Sequence, residues 1–361
     1  MTQRRAWWLG AFAIAPLAWL ACNALAGIDE PVVVEEGGPG ACVPNRPPEP
    51  PKTNDTGDAG AAFALHRVSF GDLSGIDPVP ASPGYDLDDA CTCLGDPSCA
   101  PLVASFPACD FDGGTDNAFL GLWAKYSAMI GMAEVNQSIN AGEFGFIVKI
   151  DGYNGLQDDP VVDMTFLVAS RANPLADGGG PGWTGSDQWN INDISFLDGG
   201  VPRARDNAAY VAGGVLVARL ANAGLLFLMN GRPLRVDVTQ AVLTARISVG
   251  VGGIPILDEG QFAGRIPQES LIAAISTLPL LEEPIVCASP TAFESVRAEV
   301  CKRADILRKS GGAKAARCDA LSFVLAFDAV QAKVGVVETV KQFDAGPCPA
   351  GTKFDCVDVD D

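Results

Sequence analysis

Apolar residues change their spacing twice along the chain, and those changes mark its elements. Phe119, Leu122, Trp123, Tyr126, Met129, Ile130 and Ala133 recur at steps of three and four, which places them on one helical face. The spacing predicts a helix over 118–139, with Asp116 and Asn117 as candidate N-caps. Before it, a mixed alternating run at 62–70 predicts a first strand. From Phe144 onward the period falls to two, in short runs at 144–150, 161–169, 209–220, 225–229, 234–238 and 242–249. Asn230-Gly231 between two of these runs supplies the positive φ values of a hairpin turn. Helical patterns return at 267–278 and 290–307, each with Pro near its first turn. The stretch 321–337 fits both periods and is read as a closing strand.

Short strands, tight turns and no regular helical crossovers predict a mainly β fold, an antiparallel β-sandwich or jelly roll with a few packed helices and several disulfides. Its expected span is 62–347, followed by an acidic tail, 348–361, pinned by cysteines. The segment 27–61 is rich in Pro, Gly and acids and reads as a disordered tether.

Residues 1–26 read as an export signal, with Arg4 and Arg5 ahead of an apolar stretch. Two cleavage readings fit. One cuts before Cys22, which would then carry a lipid anchoring the protein to a membrane; the other uses Ala24-Leu25-Ala26. Either one removes or consumes Cys22, leaving Cys42, Cys91, Cys93, Cys99, Cys109, Cys287, Cys301, Cys318, Cys348 and Cys356, an even set suited to disulfides in an oxidising compartment. Sequence proximity favours Cys91 or Cys93 with Cys99 and Cys109, Cys301 with Cys318 and Cys348 with Cys356, leaving Cys42 for Cys287. A thiolate metal cluster at 91–109 is the competing reading, weakened by the lack of paired C-x-x-C spacing. The expected location is the cell envelope, outer-membrane-anchored or secreted.

A formal net charge of −19 argues against nucleic acid as a partner. A single histidine, His66, removes His-rich zinc sites and most Ser/Cys-His catalysis. It sits on the first predicted strand and reads as structural. Acids at alternate positions beside glycines form two clusters, Asp86 with Asp88, and Asp110, Asp112 and Asp116. Such oxygen donors suit Ca²⁺, although the spacing is not that of an EF-hand. The competing reading makes Asp116 a helix cap and the other acids solvated turn residues. Trp183 and Trp189 flank a polar glycine loop, and with Tyr153 and Asn154 they form a candidate sugar-binding surface; the alternative is that the tryptophans cover the edge of the fold. Gly180, Gly182 and Gly185 match a dinucleotide fingerprint by letters only, because no βαβ unit surrounds them. Glu134, Glu143, Glu259 and Glu269 show no spacing that singles out a glycosidase pair.

The order of Cys22, acidic tether, Gly84-Tyr-Asp-Leu-Asp88, Cys91-Thr-Cys93, the stretch Cys109 to Asn117, Gly152-Tyr-Asn-Gly155 and Cys318 to Ser322 resembles uncharacterised secreted or lipoprotein-type proteins of Gram-negative soil bacteria. The resemblance implies an envelope location and a β-rich fold, and no functional residue. The combined expectation is a non-enzymatic envelope protein that binds a glycan or another envelope protein, assisted by Ca²⁺. A secreted polysaccharide hydrolase and a purely structural lipoprotein are the alternatives.

Overall fold

The computed structural model describes residues 43–361 except 72–81, 94, 103–108, 127–130, 173–179, 230–231, 279–284, 340–347, 358 and 360–361. These residues belong to the unit Cys42–Asp361. The export signal, Cys22 and Cys42 lie outside the described residues.

Among the described residues nine strands form one sheet: β1 (Ala59–Ser69), β2 (Gly145–Tyr153), β3 (Asp159–Ala172), β4 (Gln188–Asn192), β5 (Ala204–Ala212), β6 (Val215–Met229), β7 (Arg232–Val249), β8 (Pro255–Pro267) and β9 (Ala320–Glu338). Eight of them, all but β4, pair in an antiparallel ring, because β3 pairs with β5 and β9 pairs with both β8 and β1. The fold is therefore a closed β-barrel, and the expected sandwich or jelly roll is wrong. The closing strand is long enough to serve two neighbours at once: residues 320–330 of β9 face β8 while residues 326–332 face β1. Alternation with period two is the same in a sandwich and a barrel, so the pattern could not reveal that β9 leaves no free edge.

Bulges and tight turns set the strand lengths. Inward residues of β7 are Leu234, Val236 and Val238 and then Ala241, Leu243 and Ala245, a phase slip of one residue. Gln240, at φ 47°, absorbs that slip as a bulge, so the two expected strands 234–238 and 242–249 are one bent strand. Conversely, the expected run 209–220 is broken at Gly213-Gly214, both with positive φ, into the hairpin β5–β6.

The barrel interior is filled by aromatic and aliphatic side chains, including Phe63, Phe146, Phe166, Phe227, Phe262 and Phe323. Helices α1 (Ala118–Tyr126), α2 (Met132–Asn140) and α3 (Gln268–Ser276) cover one end, leaving an apolar gap of only about 40 Å³ between their side chains and the strand ends. The single helix expected over 118–139 is two helices, with extended backbone at Gly131 ahead of the second. Helix α4 (Pro290–Lys302) stops short of the expected 307. Ion pairs such as Arg67–Asp328, Arg205–Asp163 and Arg246–Glu259 stud the outer face. An apolar interior under a charged exterior is the reverse of a lipid-facing barrel. Among the described residues no helix is long and apolar enough to cross a membrane.

Strand β4 pairs antiparallel with the end of β3 and parallel with the end of β9, outside the ring. It seals a second apolar cluster in which Trp189 and Ile191 meet the outward-facing Ala64, Ile147 and Leu167.

Disulfides join distant segments. Cys93–Cys109 fits the expectation, whereas Cys99–Cys318, Cys287–Cys348 and Cys301–Cys356 replace the expected pairing of Cys99 with Cys91 or Cys93 and the expected pairs 301–318, 348–356 and 42–287. Sequence proximity misled because the fold brings cysteines 55 to 219 residues apart in the chain to Cα separations of 5.2–5.7 Å. Cys91 is also disulfide-bonded. The tail is thus stapled to α4 and the turn before it. The described part of the expected tether is likewise ordered against the barrel. The Tyr210 hydroxyl donates to the Pro48 carbonyl at 2.6 Å, and the Asn154 amide to the Asp55 carbonyl at 2.6 Å.

Candidate metal centre

The loop from Gly84 to Thr92 is fixed at both ends before its acids are considered. Gly84 has φ +139°, and a Cβ there would approach Val324 Cγ2 to 2.8 Å, so only glycine lets the chain pass this close to β9. Next to it, buried Tyr85 shares a hydrogen bond with Thr244 of β7 at 2.8 Å. The Asp116 amide donates to the Tyr85 carbonyl at 3.0 Å, which clamps the start of α1 onto the loop.

These constraints bring Asp86, Asp88 and Asp116 together, with one carboxylate oxygen from each within 4.8 Å of the others. Two oxygens on one Ca²⁺ at 2.3–2.6 Å lie at most about 5 Å apart, so the three surround a space that such an ion fits. Their remaining bonds are informative. Asp86 Oδ1 accepts from the amides of Asp88 and Asp89, and Asp116 Oδ2 accepts from the Leu87 amide at 2.6 Å. Asp86 Oδ2 and Asp116 Oδ1 are buried and have no hydrogen-bond partner among the described residues. Asp86 is 8% exposed and Asp116 1%, so neither orphaned oxygen is compensated by bulk water.

The surroundings favour the neutral form of these carboxyls when no cation is present. Burial, then the nearby charges of Asp305, Asp88 and Asp110, holds the Asp116 carboxyl well above the usual range. Burial also raises Asp86, pushes Asp110 up to about 8 and pushes Asp305 to about 7. The buried cation Arg265, itself lowered by desolvation, spends its guanidinium on the carbonyls of Leu307 and Leu87 rather than on a carboxylate. Asp88 completes the loop by accepting from Ser98 and from the Ala90 amide.

Of the five acids expected to bind metal, three therefore converge, and Asp110 stands within electrostatic reach while its Oδ2 holds the Thr92 amide at 2.6 Å. Asp112 is exposed on a short 3₁₀ turn and does not join the triad. Neither Asp116 nor Asn117 caps α1 by its side chain; the Ala118 amide instead finds Ser322 Oγ at 2.7 Å. Sequence reasoning missed Arg265, Asp305 and Ser322, which lie far along the chain and carry no local spacing signal.

The tryptophan loop is not a sugar platform. Trp189 is 0% exposed, and half-buried Trp183 is wedged between it and His66, with ring centroids 5.6 and 4.5 Å away. Asp187 closes the glycine loop by accepting the amides of Gly182 and Thr184, and strand β4, not a helix, follows. Tyr153 donates to the Leu156 carbonyl, and the Asn154 side chain is spent on three backbone groups. These two residues sit at one end of β2 while Trp189 packs on Gly145 at the other, about 26 Å away at the rise of a strand. The four residues form no common surface.

Two clefts border the acidic loop. The larger, about 730 Å³, lies beneath the strap Arg46–Pro50 and is lined by Asp86, Tyr210, Arg219 and Arg265. The smaller, about 330 Å³, opens between Asp88 and the loop 309–314. Compared with known proteins, the chain matches no family model, no curated protein and no solved structure.

Proposed function

We propose that this protein is a non-enzymatic binding module of the cell envelope whose barrel holds a Ca²⁺ ion on Asp86, Asp88 and Asp116, the ion fixing the loop that borders both clefts. The observation that carries the reading is the pair of buried, partnerless oxygens, Asp86 Oδ2 and Asp116 Oδ1, in a triad of carboxylates. Burying such atoms without a donor is unfavourable, and a hard divalent cation satisfies both at once. The envelope location rests on the export signal and the disulfides, and anchoring through Cys22 on the signal alone. The partner is a glycan or another envelope component taken up at a cleft beside the loop. A hydrolase reading gains less support, since Asp110 and Asp305, the acids pushed to about 8 and about 7, line neither cleft.

Calorimetric titration of the exported protein with Ca²⁺, paired with thermal unfolding in Ca²⁺ and in EGTA, tests this. Binding of one ion, with a melting temperature that climbs with Ca²⁺ concentration, is expected for the native protein. The Asp86→Asn, Asp116→Asn double variant should lose both effects while remaining folded, because the amides keep the shape of the carboxylates without their charge. Absence of Ca²⁺ binding by the native protein would overturn the reading.

A further inference from the structure

At one oxygen each the triad supplies three of the six to eight oxygens that Ca²⁺ takes, which leaves positions for water or a ligand. Asp88 is the half-buried member of the triad and lines the smaller cleft, which makes this cleft the open side of the ion. Its opposite wall is the loop Lys309-Ser-Gly-Gly-Ala-Lys314.

That loop departs from the rest of the chain in charge. Residues 308–317 hold four cations and no acid in a protein of net charge −19. Arg308 is committed to Glu269 and Asp319, at 2.5 and 2.6 Å. Lys309 and Lys314 are exposed, and among the described residues neither enters an ion pair. Besides Asp88, the carboxylates lining the cleft are Asp89, which is paired with Arg46 at 2.6 Å, and the exposed Asp96. Hydroxyls of Ser98 and Ser310 and the backbone of Gly311 and Gly312 add neutral polar groups.

Resting on the cation site proposed above, we propose that this cleft binds an oxyanion-bearing sugar, whose carboxylate or phosphate oxygen completes the coordination of the ion beside Asp88 while Lys309 and Lys314 neutralise its charge. The charge count imposes an order. Without the ion the acidic loop offers an anion no free positive centre, because the Arg265 guanidinium is spent on carbonyls; Ca²⁺ adds two charges beside Lys309 and Lys314 and supplies the centre an oxyanion needs. Cation binding precedes sugar binding. The cleft volume of about 330 Å³ suits a small ligand rather than a macromolecular surface.

The test is a calorimetric titration of the Ca²⁺-loaded protein with glucuronate, glucose 6-phosphate and glucose, three ligands that share a ring and differ in the anion. One or both acidic sugars should bind, at least tenfold tighter than glucose, and the tighter of the two identifies the oxyanion. Binding should weaken at least tenfold in EGTA, and likewise in the Lys309→Ala, Lys314→Ala double variant, whose Ca²⁺ affinity should not fall, because the change removes two cations beside the ion and none of its ligands. If Ca²⁺ binds but the acidic sugars do no better than glucose, or the double variant binds them undiminished, the sugar site is overturned and the cation site stands. If Ca²⁺ itself gives no heat and the acidic sugars do not bind, both fall.

Discussion

Ser322 gives both its backbone amide, at 2.8 Å, and its hydroxyl to the carboxylate of Asp305. The same hydroxyl oxygen receives the Ala118 amide at 2.7 Å, so one side chain at the start of β9 ties the acidic centre to the first turn of α1. Asp305 is 8% exposed and Ser322 0%, which leaves no water to replace either bond.

Replacing Ser322 by Ala should therefore be more costly than a surface change. The variant strips one donor from Asp305 and leaves the Ala118 amide without its acceptor, a loss of about 1–3 kcal/mol. Chemical denaturation of the native and variant proteins measures it. A midpoint within error of the native one would show that the bond contributes nothing to stability.

The raised carboxyls predict how the cation-free protein responds to pH. In the unfolded chain Asp110 and Asp305 release their protons near 3.8, whereas in the fold they hold them to about 8 and about 7. The folded state thus binds more protons between those values, and its stability contribution, complete below 3.8, is lost as pH rises through the folded values. In EGTA the melting temperature should fall between pH 5 and pH 8.5, and Asp110→Asn should flatten the fall. Saturating Ca²⁺ should restore most of the stability at the upper end. A native protein in EGTA that gains stability over that interval would contradict the assignment.

The two tryptophans of the glycine loop should behave as packing residues of unequal weight. Trp189→Ala empties a fully buried site and should cost about 3–5 kcal/mol. Trp183→Ala, at a half-buried position, should cost less, and neither change should alter Ca²⁺ affinity. Denaturant midpoints and calcium titrations of both variants check this; a Trp189→Ala protein of native stability would return the residue to the list of ligand contacts.

Much of the local structure was determined by the sequence alone, because it depends on neighbours along the chain. A mixed alternating run marked β1, period two marked β2 and β3, the three-and-four spacing marked α1 and α2 together, and Asp86, Asp88 and Asp116 stood out as oxygen donors next to glycines. Only the tertiary structure decided how those pieces close. Whether β9 pairs on one side or two is a matter of which strand lies beside it, and period two reads the same in either case. The phase slip at Gln240 and the break at Gly213-Gly214 merged one pair of strands and split another, since a bulge and a turn differ in pairing more than in composition. Disulfides followed the same rule, joining Cys99 to Cys318 across 219 residues where proximity had favoured nearer partners. The acidic centre is the clearest case. Its ligands were visible as letters, but their orphaned oxygens, the distant Arg265 and Asp305, and the basic loop facing Asp88 exist only once the barrel folds these segments into one low-dielectric space.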